Sequence, residues 1–94
     1  MKIFTWCNEI WDDDSNLNVR ALTEDGRLLA THTSSCEMWV KHDITKFYVK
    51  AYEEACPEGF ELVWLGRIDD PRDAPKELED AVEARRLREP CQSI

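Results

Sequence analysis

The ten residues from Lys2 to Trp11 limit the possible folds most. Read as a strand, with side chains alternating between faces, they put Ile3, Cys7 and Trp11 on one side and Phe4, Trp6 and Ile10 on the other. Both faces are bulky and apolar. Such a strand must be covered on both sides, as a central strand or as an edge strand beneath a helix. The run Asp12-Asp13-Asp14-Ser15-Asn16 then breaks the pattern. Adjacent carboxylates repel in a compact arrangement, which predicts a solvated turn or loop there.

Asp25-Gly26 has the chemistry of a two-residue type I′ hairpin turn, because both residues tolerate positive φ. Counting outward, Glu24 faces Arg27, Thr23 faces Leu28, Leu22 faces Leu29, Ala21 faces Ala30 and Val19 faces His32. Val19, Ala21, Thr23, Leu28, Ala30 and His32 form the face expected to look at the core. The Glu24–Arg27 pair would contribute about 0.2–1 kcal/mol.

Ser34 and Glu37 have the spacing of a helix capping box. Val40, Ile44, Phe47, Tyr48, Ala51 and Ala55 then recur at steps of three and four, one apolar stripe on a helix over about 35–55. Asp43 can cap a restarted helix, so a kink is expected near 43–45. Pro57 and Gly59 end the helix. Residues 60–65 read as a strand with Phe60, Leu62 and Trp64 on one side, and 66–75 as a polar connection. A last helix runs from about Pro75 to Arg88, acids early and bases late, as the helix dipole prefers. Its stripe of Leu78, Ala81 and Val82 is thin, so it is expected to pack weakly or against a partner. Residues 89–94 are expected to fray. The sum is a single α+β domain, β-β-β-α-β-α along the chain, with a small antiparallel sheet and a long helix packed on one face.

With 94 residues there is room for one core. Twenty acids against twelve Lys and Arg leave a net charge of −8, which excludes direct binding to nucleic acid by bulk electrostatics. No window of 18 apolar residues exists, so no membrane partner is expected. The short apolar run at the N-terminus lacks a signal-peptide cleavage site, and a cytoplasmic location is expected. There, Cys7, Cys36, Cys56 and Cys91 would be free thiols.

Zinc could be held by His32, Cys36 and His42 with Cys7 or Cys56, since thiolates and imidazoles are its ligands. The spacing matches no known finger, and no Cys-x-x-Cys pair exists. His42-Asp43 could work as an acid–base pair beside a Cys36 nucleophile. Neighbours on a helix do not face each other, so that pair would need a helix break. A capping Asp43 is the plainer reading. Asp12, Asp13 and Asp14 with Asp69 and Asp70 could bind a hard cation, although no EF-hand spacing is present. No cofactor or metal is expected.

The tryptophans are expected to be mostly core. Trp11, beside the aspartates, and Trp39 are candidate interface anchors. Seven acids lie between residues 69 and 83, Glu77 and Asp80 among them. They serve solubility or, more sharply, imitate a phosphate backbone toward a basic partner. The expected binding residues are therefore Trp11, Asp12, Asp13, Asp14, Trp39, His42, Asp69, Asp70, Glu77 and Asp80.

Leu29, Ser34, Ser35, Trp39, His42, Asp43 and Ile44, followed by Tyr52, Pro57, Gly59, Phe60, Leu62 and Trp64, form a further pattern. A Ser-rich strand end leads to Trp-x-x-His-Asp, then to a Pro-x-Gly-aromatic turn and a strand. Over residues 28–65 this resembles a group of small uncharacterised proteins encoded by bacteriophages and prophages. The resemblance implies a non-catalytic binder of a host protein or complex in the host cytoplasm, including inhibitors of CRISPR complexes and other defence systems. It assigns no binding residues. The alternatives are a small enzyme or zinc protein centred on Cys36, His42 and Asp43, and an accessory virion or oligomer-forming protein.

Overall fold

The computed structural model describes residues 1–10, 13–34 and 37–88. The apolar N-terminal segment is strand β1 (Lys2–Ile10), and it occupies an inner position in a four-stranded sheet. Its neighbours are β2 (Asp13–Thr23), antiparallel, and β4 (Glu61–Arg67), parallel, while β3 (Leu28–Ser34) pairs with the outer side of β2. The order is β3-β2-β1-β4. The two faces of β1 are buried as its alternation requires. Ile3 and Cys7 pack with Val40 and Ile44 of α1 (Glu37–Lys46) and Tyr52 of α2 (Val49–Ala55). Phe4 packs with Leu78 and Ala81 of α3 (Lys76–Arg88), and Trp6 lies against the same cluster.

The class is α+β as expected, but the sheet is mixed rather than antiparallel. The α1–α2 crossover carries the chain from β3 past β2 to the free side of β1, and a parallel neighbour needs such a crossover. Nor is the sheet covered on one face only. The last helix, with its thin stripe, closes the second face.

The long helix is two helices. Its break falls at Phe47-Tyr48, not near 43–45, and Asp43 lies inside α1, where its carbonyl accepts from Phe47 N–H at 2.9 Å. The break changes the helix phase. Phe47, expected in the core, is 67% exposed, and the fully buried Tyr52 takes over. The Tyr52 hydroxyl donates to Ile44 O at 2.5 Å, tying α2 to α1, and burial pushes its phenol pKa up. Ser34 is the last residue of β3. Ser35 and Cys36 lie outside the described residues, as does the tail 89–94.

The β2–β3 hairpin keeps the expected Val19–His32 and Ala21–Ala30 register, but its turn differs. Thr23 N–H donates to Arg27 O and Gly26 N–H to Thr23 O, so Glu24, Asp25 and Gly26 form a three-residue turn. Glu24 accepts the Lys2 amide instead of facing Arg27. A bulge pairs Leu22 with Leu28 and sends Leu28 and Leu29 to opposite cores. Gly26 has φ +92°, and a Cβ there would lie 2.4 Å from Arg85 N, so the turn can approach α3 only without a side chain. The acid run is not a loop throughout: β2 begins at Asp13, which pairs with Ile10 after a register shift. Strand pairing is a backbone property, and successive side chains alternate between faces, so neighbouring aspartates do not forbid it.

Candidate functional site

Three regions gather the candidate residues. The first is the outer side of α1. Val40 and Ile44 turn it toward the sheet, which leaves Trp39 58% exposed, with Phe47 beyond it. His42 packs edge-on to Trp39, with ring centroids 6.0 Å apart. Lys41 and Lys46 of α1 are exposed as well, as is Lys50 of α2.

Asp43 stands between two imidazoles. Its Oδ1 is 3.5 Å from His42 Nδ1, and its Oδ2 is 3.7 Å from His32 Nε2. Tyr48 Oη lies 3.3 Å from His32 Nδ1. The His42–Asp43 pair thus forms without the expected helix break, because the two side chains reach each other along an intact turn. Both Asp43 contacts are too long to count as strong hydrogen bonds. Cys36, the expected nucleophile, lies outside the described residues. Cys7 and Cys56 are buried, and the described residues contain no cluster of three or more His, Cys, Asp or Glu able to hold a metal ion.

The second region is the acidic stretch. Asp70 accepts from the Arg72 amide and guanidinium, which hold its carboxyl below the ordinary value. Arg67 pairs with Asp69, Lys76 with Asp80, Lys2 with Glu77 and Arg86 with Glu83. Five of the seven acids between 69 and 83 therefore hold a cation of the chain itself. Asp73 and Glu79 make no ion pair among the described residues. Of the other expected binding residues, Trp11 and Asp12 lie outside the described residues, and only the backbone of Asp13 and Asp14 is placed.

The third region is a cleft of about 360 Å³ where the carboxyl ends of β1 and β4 meet α3. Trp6, Ile68, Leu78 and Val82 supply apolar walls, and Asn8, Asp69, Glu79, Glu83 and Arg86 the polar groups. Asn8 Oδ1 is buried and accepts no hydrogen bond among the described residues. An unmet acceptor of this kind costs about 1–3 kcal/mol. Clefts beyond the carboxyl ends of parallel strands are common ligand sites, since the connections diverge there.

The sequence reading placed Phe47 and Tyr48 in the core stripe and did not single out Asn8. Asn8 was discernible in principle as the polar interruption of an apolar strand. Phe47 was not, because its exposure follows from the helix break. No family model, curated protein or solved structure matches the chain.

Proposed function

We propose that the chain is a non-catalytic binding protein that acts by protein–protein contact on a bacterial host protein or complex. Its most concrete form is an inhibitor of a defence system, of the anti-CRISPR kind. The observation that carries this is the exposure of Trp39 and Phe47 on α1, 58% and 67%. Neither ring is needed by a core, and exposed aromatic side chains are the usual anchors of interfaces. The net charge of −8 and the phage-type pattern of residues 28–65 support the same reading.

The paired acids between 69 and 83 favour direct contact over imitation of nucleic acid. A phosphate mimic needs carboxylates open to the partner's cations, and five of these seven already meet one. The test is affinity capture from host lysate at low and high salt, with wild type beside the Trp39→Ala/Phe47→Ala variant. A specific partner held by wild type and lost by the double variant is expected. Capture that is indifferent to the two rings, or no specific capture at low salt, overturns the proposal.

A second reading draws on Asp43 between His32 and His42, an acid–base cluster whose contacts of 3.5 and 3.7 Å would have to shorten before a proton could pass. Metal analysis and thiol titration of the purified protein test it. Stoichiometric metal or a hyper-reactive thiol would favour an enzyme or zinc protein.

A further inference from the structure

We infer that the outer edge of β4 is a self-association surface, on which a second copy of this chain adds its own β4 antiparallel and joins two four-stranded sheets into one. The inference stands apart from the host-binding function proposed above.

The two edges of the sheet are finished differently. On β3, Thr31 and Thr33 are exposed and polar, and the Tyr48 hydroxyl donates to Thr31 O at 3.4 Å. Just before that strand, Arg27 Nη1 donates to Ala55 O at 2.8 Å. The α1–α2 crossover is thus tied along the β3 edge. Strand β4 has no such cover. Glu61 N–H donates to Met1 O at 2.9 Å, and Val63 O accepts from Thr5 Oγ1 at 3.2 Å, so these two residues turn their backbone toward β1. Leu62 and Trp64 alternate with them and turn their N–H and C=O groups away from the sheet. Among the described residues nothing bonds to those groups.

The middle of β4 is Leu62, Val63, Trp64 and Leu65, apolar on both faces, and none of the four is buried. The connection that follows does not shield them, since Asp69, Pro71 and Ala74 line the cleft with Trp6 and Asn8 over the second face. A bare apolar edge is a template for another strand, and neither lysine nor proline guards this one. The register shift beyond Trp64 and the positive φ of Gly66 end the usable edge, which leaves the segment from Glu61 to Leu65.

Two-fold symmetry supplies the matching strand. With Leu62 opposite the copy's Trp64, each such pair exchanges two backbone hydrogen bonds, and the axis passes at Val63. Leu62 then lies beside the copy's indole on one face, and Val63 meets Val63 on the other. Antiparallel pairing also sets the Glu61 end of each strand at the Arg67 end of the other, whereas parallel pairing would stack Glu61 on Glu61. The net charge of −8 on each copy opposes association, so the pairing tightens as salt screens that repulsion.

The experiment is sedimentation equilibrium on the full chain at high salt from about 20 μM to about 1 mM, with amide hydrogen exchange measured at both ends of that range. A mass rising from one chain toward two is expected, with exchange of the Leu62 and Trp64 amides slowed at least fivefold at the higher concentration. Leu62→Pro removes an N–H that β1 does not use and is expected to weaken association at least tenfold. Val63→Lys, which sets two ammonium groups face to face at the axis, is expected to do the same. The exchange measurement on wild type holds whether or not either variant folds. A mass of one chain throughout, a dimer with unchanged exchange at Leu62 and Trp64, or undiminished association in both variants overturns the assignment. Protection of Leu62 and Trp64 that appears only with a captured host protein gives the edge to that partner and overturns self-pairing.

Discussion

The two faces of the sheet are held in different ways. Among the described residues, ten buried ones form one cluster beneath α1 and α2, around Ile3, Val19, Ile44 and Tyr52. Beneath α3, four do: Phe4, Leu22, Leu78 and Ala81. Helix α3 adds polar and steric fits, with Arg88 Nε donating to Asp25 O at 2.7 Å and Gly26 lying against Ala84 and Arg85. The first face is held by apolar burial, at roughly 25 cal/mol per Å². The second depends on a turn of special geometry. The cleft lies on that second, thinner side, where a ligand can reach the sheet without displacing the main core.

Tyr52→Ala would break the comparison on the thick side. It removes a fully buried ring and the bond to Ile44, and a loss of about 3–5 kcal/mol is expected in denaturant unfolding. A loss under about 1 kcal/mol would show that α2 is not integral to the core. Gly26→Ala probes the thin side, where the added Cβ meets backbone atoms of α3 at a positive φ. About 2–4 kcal/mol is expected. Hydrogen exchange should locate that loss in α3 amides first, with β1 and β2 protected longest.

Asp25 sharpens the comparison through pH. Burial works to raise its carboxyl pKa, but bonds from Thr23 and Arg27 and the charges of Arg27 and Arg88 outweigh it and hold the value below 3.8. The folded value is depressed, so the stabilisation is present above the unfolded value, near pH 4, and lost as pH falls through the folded one. Asp25→Asn should cost about 1 kcal/mol at pH 7, allowing for solvent screening at this partly exposed site, and less as the acid limb is descended. An equal difference between variant and wild type at pH 7 and pH 2 would contradict that. The smallest effect on stability is expected from Trp39→Ala with Phe47→Ala, within about 0.5 kcal/mol for each exposed ring, while partner binding falls more than tenfold.

Much of the thick side was legible in the residues. The double alternation of Ile3, Cys7 against Phe4, Trp6 required cover on both faces, as an inner strand or an edge strand beneath a helix, and the facing of Val19 with His32 and Ala21 with Ala30 followed from the hairpin position. The hairpin turn is a local signal with two outcomes. Asp25-Gly26 suits a two-residue or a three-residue turn, and with the longer turn and its bulge Leu28 packs with Phe4 and Leu22 instead of with Val19 and Ala21. Of the candidate site, Trp39 and His42 were each named as binding residues, but their edge-on contact on one exposed surface was not foreseen. Glu77, Asp80, Asp69 and Asp70 were rightly seen as acidic, but their own cations were not foreseen, because Lys2–Glu77 joins residues far apart in the chain.

Strand alternation, turn chemistry and helix periodicity are short-range, and the sequence alone determined what they control: the four strands, the last helix, the acidity and the α+β class. The tertiary structure decided that β4 lies parallel beside β1, that the helix breaks at Phe47-Tyr48, and that α3 closes the second face over a cleft. Each of those outcomes depends on which distant surface an element buries itself against, and the free energy of that burial outweighs the weaker local preferences.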